Sequence, residues 1–412
     1  MRTLVAAGEY PWPENSGSRL RLATVLRGLT QCGPTDLFSI LPAKRQDIDV
    51  PDPAIGLDRV GHVSFDDRPP SGLGRLAAAV DRSTPFELPR PDGGAALQAL
   101  TRFCRGRYDL VWYFGIRPLV LTGGMVASPA VLDLVDLEDQ KIAARRAVPG
   151  PHPAGLTSSA RRLASRLVSA DEVRRWRHLQ RDAGTRVAVT VVCSDLDAER
   201  ARAGGVPRVA VVPNGYRLVP EPVGRVPVAD PPTVVFQGTL RYPPNADGAR
   251  FLVDEVGPML RRLVPAVRIR LVGATTPALL RLDDPPAVTL VGQVPDIADE
   301  LARADVVVVP LRFGSGTRLK VLEAFAQRVP VVSTMLGAEG LGAVDGVHLL
   351  LADTPDDIAA ACSRLLGDDA LRAKLAEGAH ELFRRRFADD VVADAVADLA
   401  LRVAGGESPG GR

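Results

Sequence analysis

Residues 310–334, PLRFGSGTRLKVLEAFAQRVPVVST, lead from an apolar strand through a glycine-bearing turn into an apolar helix that starts near Arg318. The turn consists of Gly314, Ser315, Gly316 and Thr317. Such a turn exposes backbone N–H groups at the N-terminus of the helix, where the helix dipole adds about half a positive charge. The stretch therefore predicts a cradle for a diphosphate.

Three charged side chains in this helix extend that prediction. Arg318 and Lys320 bring two cations to the helix N-terminus, where they would neutralise a leaving nucleoside diphosphate. Glu323 lies deeper in the helix, and its carboxylate, which only accepts hydrogen bonds, suits the two hydroxyls of a ribose. A glycine turn before a helix is common, and a single helical glutamate is usually solvated. However, an acid inside the apolar run VLEAFA is costly to bury without partners, so the combination favours a functional site.

Short aliphatic runs alternate with helical segments along the whole chain, for example TLVAA at 3–7, VAVTVVCS at 187–194 and DVVVVP at 305–310. Continuous apolar character is typical of parallel strands that are buried on both faces. The alternation predicts an α/β protein with two doubly wound, Rossmann-like domains. In such a pair we expect the carboxyl ends of both sheets, and hence the ligands, to face a cleft.

The segment 215–232 is rich in proline and has no helical period, so we predict that it links the two domains. The N-terminal domain then covers 1–214 and the C-terminal domain 233–386. The amphipathic segment 387–404 predicts a helix that packs back toward the N-terminal domain. The Gly/Pro-rich tail, 405–412, is expected to be disordered.

Composition excludes several classes of protein. The 412 residues carry 51 basic and 49 acidic side chains, and this balance argues against a nucleic-acid partner. The four cysteines lie far apart, which argues against a zinc site or a disulfide framework. The chain has neither a long apolar run nor a signal-peptide pattern, so we expect a cytoplasmic protein. Nothing in the sequence indicates an oligomeric state.

An arginine-rich helical stretch covers 161–181, with leucine, valine and tryptophan recurring on its other face. A basic amphipathic helix can make weak contact with a membrane surface. An ordinary surface helix with a solvated charged face is the favoured interpretation, because the total charge is balanced.

The stretch 310–334 resembles the donor-site motif E-x7-E of the retaining GT-B glycosyltransferases of the group-1, or GT4-like, family. Glu323 matches the second glutamate of that motif, which holds the ribose of the nucleotide in the family. Ser315 stands where the first glutamate normally contacts the sugar hydroxyls, and this departure leaves the identity of the sugar open. The resemblance also implies that the backbone of Gly316 lies near the sugar and the phosphates.

The resemblance extends to VVFQGTLRYPPNADGARFL at 234–252, which is similar to the first strand and helix of the family's donor domain. Here Gly238 matches the turn that faces the phosphates, and Asn245 comes just before the helix. Thr239 replaces an arginine that the family usually has. We infer from charge balance that the two cations of the motif supply the missing charge.

Two further segments match loops of the family. In VTLVGQVPDI, residues 288–297, the backbone of Gln293 and Val294 matches the part that hydrogen-bonds the nucleotide base. At the first turn of the N-terminal domain, Gly17 and Arg19 match the family's glycine loop. A plain connection between strand and helix is the alternative for that loop.

Three acids follow the strand AVLDLV, namely Asp133, Asp136 and Asp139. The family places a histidine near this strand end, so Asp136 is a candidate catalytic base. The spacing of the three acids also raises the question of a metal ion, but residues three apart at a strand-to-loop junction converge poorly. Solvated or hinge-linked acids are the alternative.

The resemblance implies a retaining glycosyltransferase that uses a nucleotide-sugar donor, with UDP favoured over GDP. The N-terminal domain would bind the acceptor, which could be a small molecule, a saccharide or a lipid-linked sugar of secondary-metabolite or cell-envelope biosynthesis. We expect no cofactor and no metal ion, because cations and dipoles would hold the phosphates. Two alternatives stay open: a non-catalytic GT-B protein that binds nucleotide sugars, and a nucleotide-sugar 2-epimerase of GT-B fold.

Overall fold

The structure, a computed structural model, describes residues 1–42, 52–65, 84–86, 88, 93–123, 128–146, 156–219, 230–314, 316 and 318–407. Ser315 and Thr317 of the motif lie outside these ranges, as do the middle of the predicted linker and the end of the predicted tail. The backbone of the arginine-rich helix is described, but its side chains only from residue 170 onward.

The chain forms two compact units. The first contains Met1–Gly215 together with Asp389–Arg412, and the second contains Tyr216–Ala388. Each unit has its own parallel sheet, with helices in the connections between its strands. Within the described ranges, no helix is long and apolar enough to cross a membrane, and the four cysteines are free thiols.

The first unit is built on a seven-stranded sheet of order β3-β2-β1-β4-β5-β6-β7. Its strands are β1 (Thr3–Ala7), β2 (Thr35–Pro42), β3 (Arg59–Phe65), β4 (Leu110–Phe114), β5 (Ala130–Asp133), β6 (Val189–Val192) and β7 (Val209–Val211). Its helices are α1 (Gly17–Gln31), α2 (Gly93–Phe103), α3 (Ile116–Thr122), α4 (Glu138–Arg146), α5 (Leu156–Thr185), α6 (Asp195–Ala203), the short 3₁₀ helix Pro53–Ile55 and the C-terminal helix Asp389–Ala404. The strands β1 and β4 are buried at every position, as expected for parallel strands covered on both faces.

The C-terminal helix Asp389–Ala404 packs against α1 at very short range. A Cβ atom added at Gly28 would lie 2.3 Å from the carbonyl oxygen of Ala393, so only glycine allows this approach. Val392 and Val396 join Leu22 in one apolar core on that side of the sheet. The end of the chain is therefore part of the first unit.

A buried ion pair ties the first unit together at the carboxyl end of β5. Arg21 donates from Nε and Nη2 to Oδ1 of Asp133, at 2.9 and 2.8 Å, and both side chains are almost fully buried. The same guanidinium donates through Nη1 to the carbonyl oxygen of Val212 and to Oδ1 of Asn214. Because a buried charge is tolerated only when it is paired and hydrogen-bonded, Asp133 is a structural acid that links β5 to the end of the unit.

The second unit is built on a six-stranded parallel sheet of order β10-β9-β8-β11-β12-β13. Its strands are β8 (Thr233–Gln237), β9 (Arg268–Val272), β10 (Val288–Gly292), β11 (Val306–Val309), β12 (Val331–Ser333) and β13 (Leu350–Leu351). Its helices are α7 (Pro243–Arg250), which continues through the π-helical turn Phe251–Val256 into α8 (Gly257–Leu263), then α9 (Ala298–Leu301), α10 (Leu319–Ala326), α11 (Pro355–Gly367), α12 (Asp369–Arg386) and the 3₁₀ helices Pro277–Leu282 and Leu336–Ala338.

Both sheets contain a point at which the strand order changes direction. In the first unit this switch point lies between β1 and β4, and in the second between β8 and β11. Open parallel sheets bind ligands beyond the carboxyl ends of the strands at such a point, because the connections diverge there and leave a crevice. The fold thus indicates one candidate position in each unit.

Candidate functional site

In the second unit, the switch point brings two sequence motifs to the same edge of the sheet. Gly238 directly follows β8, while Leu311 and Gly314 follow β11 and lead to the start of α10. Strands β8 and β11 are hydrogen-bonded neighbours, with Val234 paired to Val306 and Val235 to Val307. Two stretches that are about 80 residues apart along the chain therefore meet at one place.

Gly238 keeps that edge of the sheet bare. Its φ of +144° belongs to a region that other residues rarely adopt. A Cβ atom at this position would lie 2.9 Å from Nδ2 of Asn245 and 3.1 Å from Nζ of Lys320. At the neighbouring strand end, a Cβ atom at Gly273 would lie 2.0 Å from the carbonyl oxygen of Gly238. Both positions require glycine, and at Gly238 the backbone lies open to the side chains above it.

Lys320 occupies the space over that glycine. Its ammonium group donates a hydrogen bond of 2.5 Å to Oδ1 of Asn245 and lies 4.9 Å from the centre of the Phe236 ring. Among the described residues it forms no ion pair. Burial, with a smaller contribution from the nearby Arg318, lowers the pKa of Lys320 to about 7. Within the described part of the chain, the site therefore contains a cation that forms no ion pair, although the charge of Glu323 opposes the lowering of its pKa.

Asn245 fixes the position of that lysine. Its Nδ2 donates to the carbonyl oxygen of Thr239 at 3.0 Å, which turns its oxygen toward Lys320. The sequence predicted that Asn245 comes just before a helix, and this is wrong. The residue lies in the first turn of α7, because the two prolines Pro243 and Pro244 begin the helix earlier.

Arg318 is the second cation at this edge. It is the N-cap residue of α10 and is 6% exposed, and its Nε donates to the carbonyl oxygen of Leu336 at 3.3 Å. A Cβ atom at Gly314 would lie 3.4 Å from Nη1 of Arg318, so the turn runs directly along the guanidinium. Gly316, with a φ of +83°, completes the described part of the turn.

Glu323 lies one turn further along α10. Burial raises the pKa of its carboxyl group, whereas a hydrogen bond from Gln237 and the charges of Lys320 and Arg217 act in the opposite direction. Gln237 is the last residue of β8 and is 2% exposed, and its Nε2 also donates to the carbonyl oxygen of Lys320 at 2.8 Å. The acid thus has the polar partners that the apolar surroundings demand.

The sequence analysis did not identify Arg217 and Asp296, whose charges affect the pKa of Glu323. Nη2 of Arg217 lies 2.6 Å from both carboxylate oxygens of Asp296, and this pairing lowers the pKa of Asp296. Burial and the charge of Glu323 raise the pKa of the neighbouring Tyr216. The pair spans 79 residues along the chain, so no local pattern could reveal it.

Three further predicted residues of the second unit have less specific surroundings. Gln293 is exposed and Val294 is half-buried in the loop after β10, close in sequence to Asp296. The side chain of Thr239 is exposed, and its backbone carbonyl serves Asn245. The base contact that the resemblance implies for the backbone of Gln293 and Val294 stays a prediction.

The predicted residues of the first unit lie at the carboxyl edge of its own sheet. Gly17 is the first residue of α1. Arg19 is 8% exposed and donates through Nη1 to the carbonyl oxygen of Pro13 and to Oδ1 of Asn15, so it braces the loop that contains it.

The acids after β5 do not form one cluster. Oδ2 of Asp136 lies 3.5 Å from Nζ of Lys141. Asp139 is buried and accepts hydrogen bonds from Gln180 and Arg177. Since Asp133 pairs with Arg21, each of the three acids has a separate set of partners. Within the described ranges, no three metal-ligating side chains come together.

Comparison with known proteins agrees with this geometry. Residues 231–368 match the family described as "Glycosyl transferases group 1". Among solved structures, the chain is similar to the HepE protein of Anabaena in a crystal with UDP and glucose, with 16% identity, 96% of this chain and 98% of that one covered, and a TM-score of 0.62. It is also similar to the sucrose-phosphate synthase of Thermosynechococcus elongatus, with 16% identity, 99% and 100% coverage, and a TM-score of 0.68.

Among curated proteins, the chain is 29% identical over 208 residues to an exopolysaccharide phosphotransferase of Streptomyces coelicolor. That match covers 47% of this chain, and the chain spans about a fifth of that relative's length, 21%. The structural likeness shows the GT-B fold, and the family match shows that the second unit carries a group 1 glycosyltransferase domain. The GT-B fold and the group 1 glycosyltransferase domain predicted from the sequence are confirmed, whereas the retaining, GT4-like detail stays a prediction.

We expect the stability of the second unit to report the lowered pKa of Lys320. An unfolded lysine keeps its proton to a pH of about 10.4, whereas the folded chain releases it near a pH of about 7. Between these values the unfolded state binds more protons, so the free energy of unfolding rises with pH, by at most about 1.4 kcal/mol per unit. Lys320→Met removes this contribution, and urea unfolding followed by circular dichroism measures the difference between the two proteins.

The matched control is Lys374→Met, which removes an exposed lysine of the same unit. The free-energy difference between this control and the wild type should not change with pH. If Lys320→Met behaves like the control from neutral to alkaline pH, Lys320 has an ordinary pKa and its ammonium group is well solvated.

Proposed function

We propose that this chain is a retaining glycosyltransferase that moves a sugar from a UDP-sugar, rather than a GDP-sugar, to an acceptor held by the first unit. The observation that carries the proposal is the ammonium group of Lys320, which forms no ion pair with the described residues and lies over the bare backbone of Gly238 at the N-terminus of α10. The group 1 domain supports the type of reaction. The UDP in the crystal of the HepE protein supports the nucleotide.

The two cations account for the chemical step. When the bond between the sugar and the diphosphate breaks, negative charge develops on the leaving group. Arg318 and Lys320, together with the N–H groups at the start of α10, would stabilise this charge in a partly buried environment. Because the interaction strengthens as the charge grows, it lowers the barrier and does not merely bind the donor.

The lowered pKa of Lys320 fits this role. A lysine with a pKa of about 7 is only partly protonated at neutral pH in the free protein. A neighbouring diphosphate would raise that pKa, so binding of the donor would complete the protonation. Gly238 matters here because any side chain at its position would fill the space between strand and lysine.

The remaining donor contacts follow from the surrounding side chains. Glu323, held by Gln237, would accept hydrogen bonds from the ribose hydroxyls. The backbone of Gln293 and Val294 would contact the base, in a loop that the Arg217–Asp296 pair secures. Retention of configuration rests on the family resemblance alone.

The first unit would bind the acceptor. Asp136, three residues after the end of β5, would contact the acceptor and is the candidate for a catalytic base. A saccharide, a small molecule or a lipid-linked sugar would each fit the resemblance. The name of the Streptomyces relative, an exopolysaccharide phosphotransferase, supports a saccharide of the cell envelope or an exopolysaccharide.

Incubation of the purified protein with a panel of UDP- and GDP-sugars tests the proposal, with release of the nucleotide and the anomer of the product followed by NMR. We expect UDP release, and replacement of Arg318 or Lys320 by alanine should lower kcat roughly ten- to a thousand-fold because the leaving group loses a charge partner. Lys374→Ala is the control for the lysine. Binding of UDP without hydrolysis or transfer would instead indicate a non-catalytic GT-B protein, and conversion of the donor to an epimer would indicate a 2-epimerase.

Glu323→Ala should weaken the binding of UDP by about 1.5–3 kcal/mol, the usual contribution of hydrogen bonds to a charged group. Isothermal titration calorimetry measures the affinity. Glu377→Ala, which removes a carboxylate from the exposed surface of α12, should leave the affinity unchanged. Equal affinities for Glu323→Ala and the wild type would remove Glu323 from the nucleotide site.

Turnover should survive an excess of EDTA, because the phosphates are neutralised by protein cations. A divalent ion beside Arg318 and Lys320 would be repelled, by several kcal/mol at an effective dielectric constant of about 20 and close range. The nearest acid of the motif, Glu323, is assigned to the ribose. Complete loss of activity with EDTA that is restored by magnesium or manganese would contradict this assignment of charges.

A further inference from the structure

The first unit contains a cavity of about 310 Å³ that no established role explains. It opens at the switch point of the seven-stranded sheet. Gly8 and Glu9, which follow β1, line it from one strand, and Phe114 and Gly115, at the end of β4, line it from the next. This is the position at which an open parallel sheet binds a ligand.

One part of the cavity wall is apolar. Its lining consists of Phe114, Pro118, Leu134 and Trp176. The side chains of Phe114, Leu134 and Trp176 are each at least nine-tenths buried. Rigid side chains of this kind offer a flat surface to the C–H groups of a ring, and their contact with a ligand releases water from both.

Another part of the wall is polar and built from linked side chains. Nζ of Lys141 lies 3.5 Å from Oδ2 of Asp136 and 3.3 Å from Oε1 of Glu138, and all three side chains are between 23% and 31% exposed. The hydroxyl group of Ser18 donates to the carboxylate of Glu9. These groups can accept hydrogen bonds at carboxylates and donate them at the ammonium group, which is what hydroxyl groups of a ligand require.

The charges of the lining narrow the class of ligand. Three carboxylates and two cations, the latter from Arg117 and Lys141, line the cavity. An excess of carboxylates opposes a phosphate group, and Lys141 is already shared between two of them. A purely apolar ligand would remove water from these charged groups without replacing their hydrogen bonds, which is costly.

We propose that this cavity binds the acceptor as a neutral, polyhydroxylated ring, that is, a sugar residue, and not as a sugar phosphate or an apolar alcohol. The apolar wall receives the C–H face of the ring, and Asp136, Glu138 and Lys141 bind its hydroxyl groups. The term acceptor rests on the proposed function, whereas the assignment of a sugar to the cavity does not.

Saturation-transfer NMR without any donor tests the assignment. The probes are the methyl α-pyranosides of glucose, galactose, mannose and rhamnose, a maltotrioside that represents the end of a glycan, glucose 1-phosphate and p-nitrophenol. We expect at least one methyl pyranoside or the maltotrioside to bind, with a dissociation constant of millimolar order, near about −4 kcal/mol. Tighter binding of a methyl pyranoside would indicate a single sugar as the ligand, and tighter binding of the maltotrioside would indicate the end of a glycan.

Two variants locate the binding. Gly8→Val adds bulk inside the cavity, and a Cβ atom there meets its nearest neighbour, Pro118, at an ordinary 3.6 Å. Asp136→Asn removes a charge at constant shape. We expect each variant to weaken sugar binding by about tenfold or more, equivalent to about 1.4 kcal/mol. The control Asp182→Asn changes an exposed acid of the same unit that pairs with Arg186, and it should bind like the wild type.

Circular dichroism shows which variants are folded, and Asp136→Asn suffices if Gly8→Val does not fold. Unchanged sugar binding in Asp136→Asn and in folded Gly8→Val would overturn the assignment. So would binding of glucose 1-phosphate or p-nitrophenol in preference to every neutral sugar, or no binding of any neutral sugar at about 20 mM. If the sugars bind as expected but no UDP-sugar is turned over, the cavity assignment holds and the transferase proposal fails.

Discussion

The second unit of this protein depends on the close approach of two strand ends that carry no side chain. At Gly273 a Cβ atom would collide with the carbonyl oxygen of Gly238, and at Gly238 it would crowd both Asn245 and Lys320. The positive φ angles at both glycines belong to the same constraint. Because the backbone is bare there, the lysine of α10 can reach across the edge of the sheet from β11 to β8.

The two units share the same sheet topology at their candidate ligand positions, but the side chains at those positions differ in chemistry. Each has a switch point at the carboxyl edge of a parallel sheet, between β1 and β4 or between β8 and β11. In the second unit the crevice is lined by cations and glycine backbone, which suits an anion. In the first it is furnished with carboxylates and an apolar wall, which suits a neutral polar ring. The fold supplies the position, and the side chains at the strand ends select the ligand.

Local sequence patterns predicted the parts of the site that are close together along the chain. The parallel strands and the helix after the glycine turn follow from apolar runs and spacing, and so do the positions of Lys320 and Glu323 on that helix. Long-range partners did not follow. Arg217 and Asp296 are 79 residues apart, Arg21 and Asp133 are 112 apart, and Gln237 is embedded in an apolar strand. Asn245 was predicted to come just before a helix, whereas Pro243 and Pro244 begin that helix and place Asn245 inside its first turn.

The difference between Arg318 and Lys320 explains why two cations of different kinds stand at one helix end. A guanidinium remains charged at any physiological pH, so Arg318 supplies a constant field and a rigid, planar set of donors. An ammonium group loses its proton more readily when it is buried beside another cation. Lys320 is in this situation, because burial and the charge of Arg318 lower its pKa to about 7. At neutral pH, a lysine with such a pKa is fully protonated only while an anion lies beside it. A diphosphate bound here would complete the protonation of Lys320, so the site would not need to keep two full positive charges side by side in its absence.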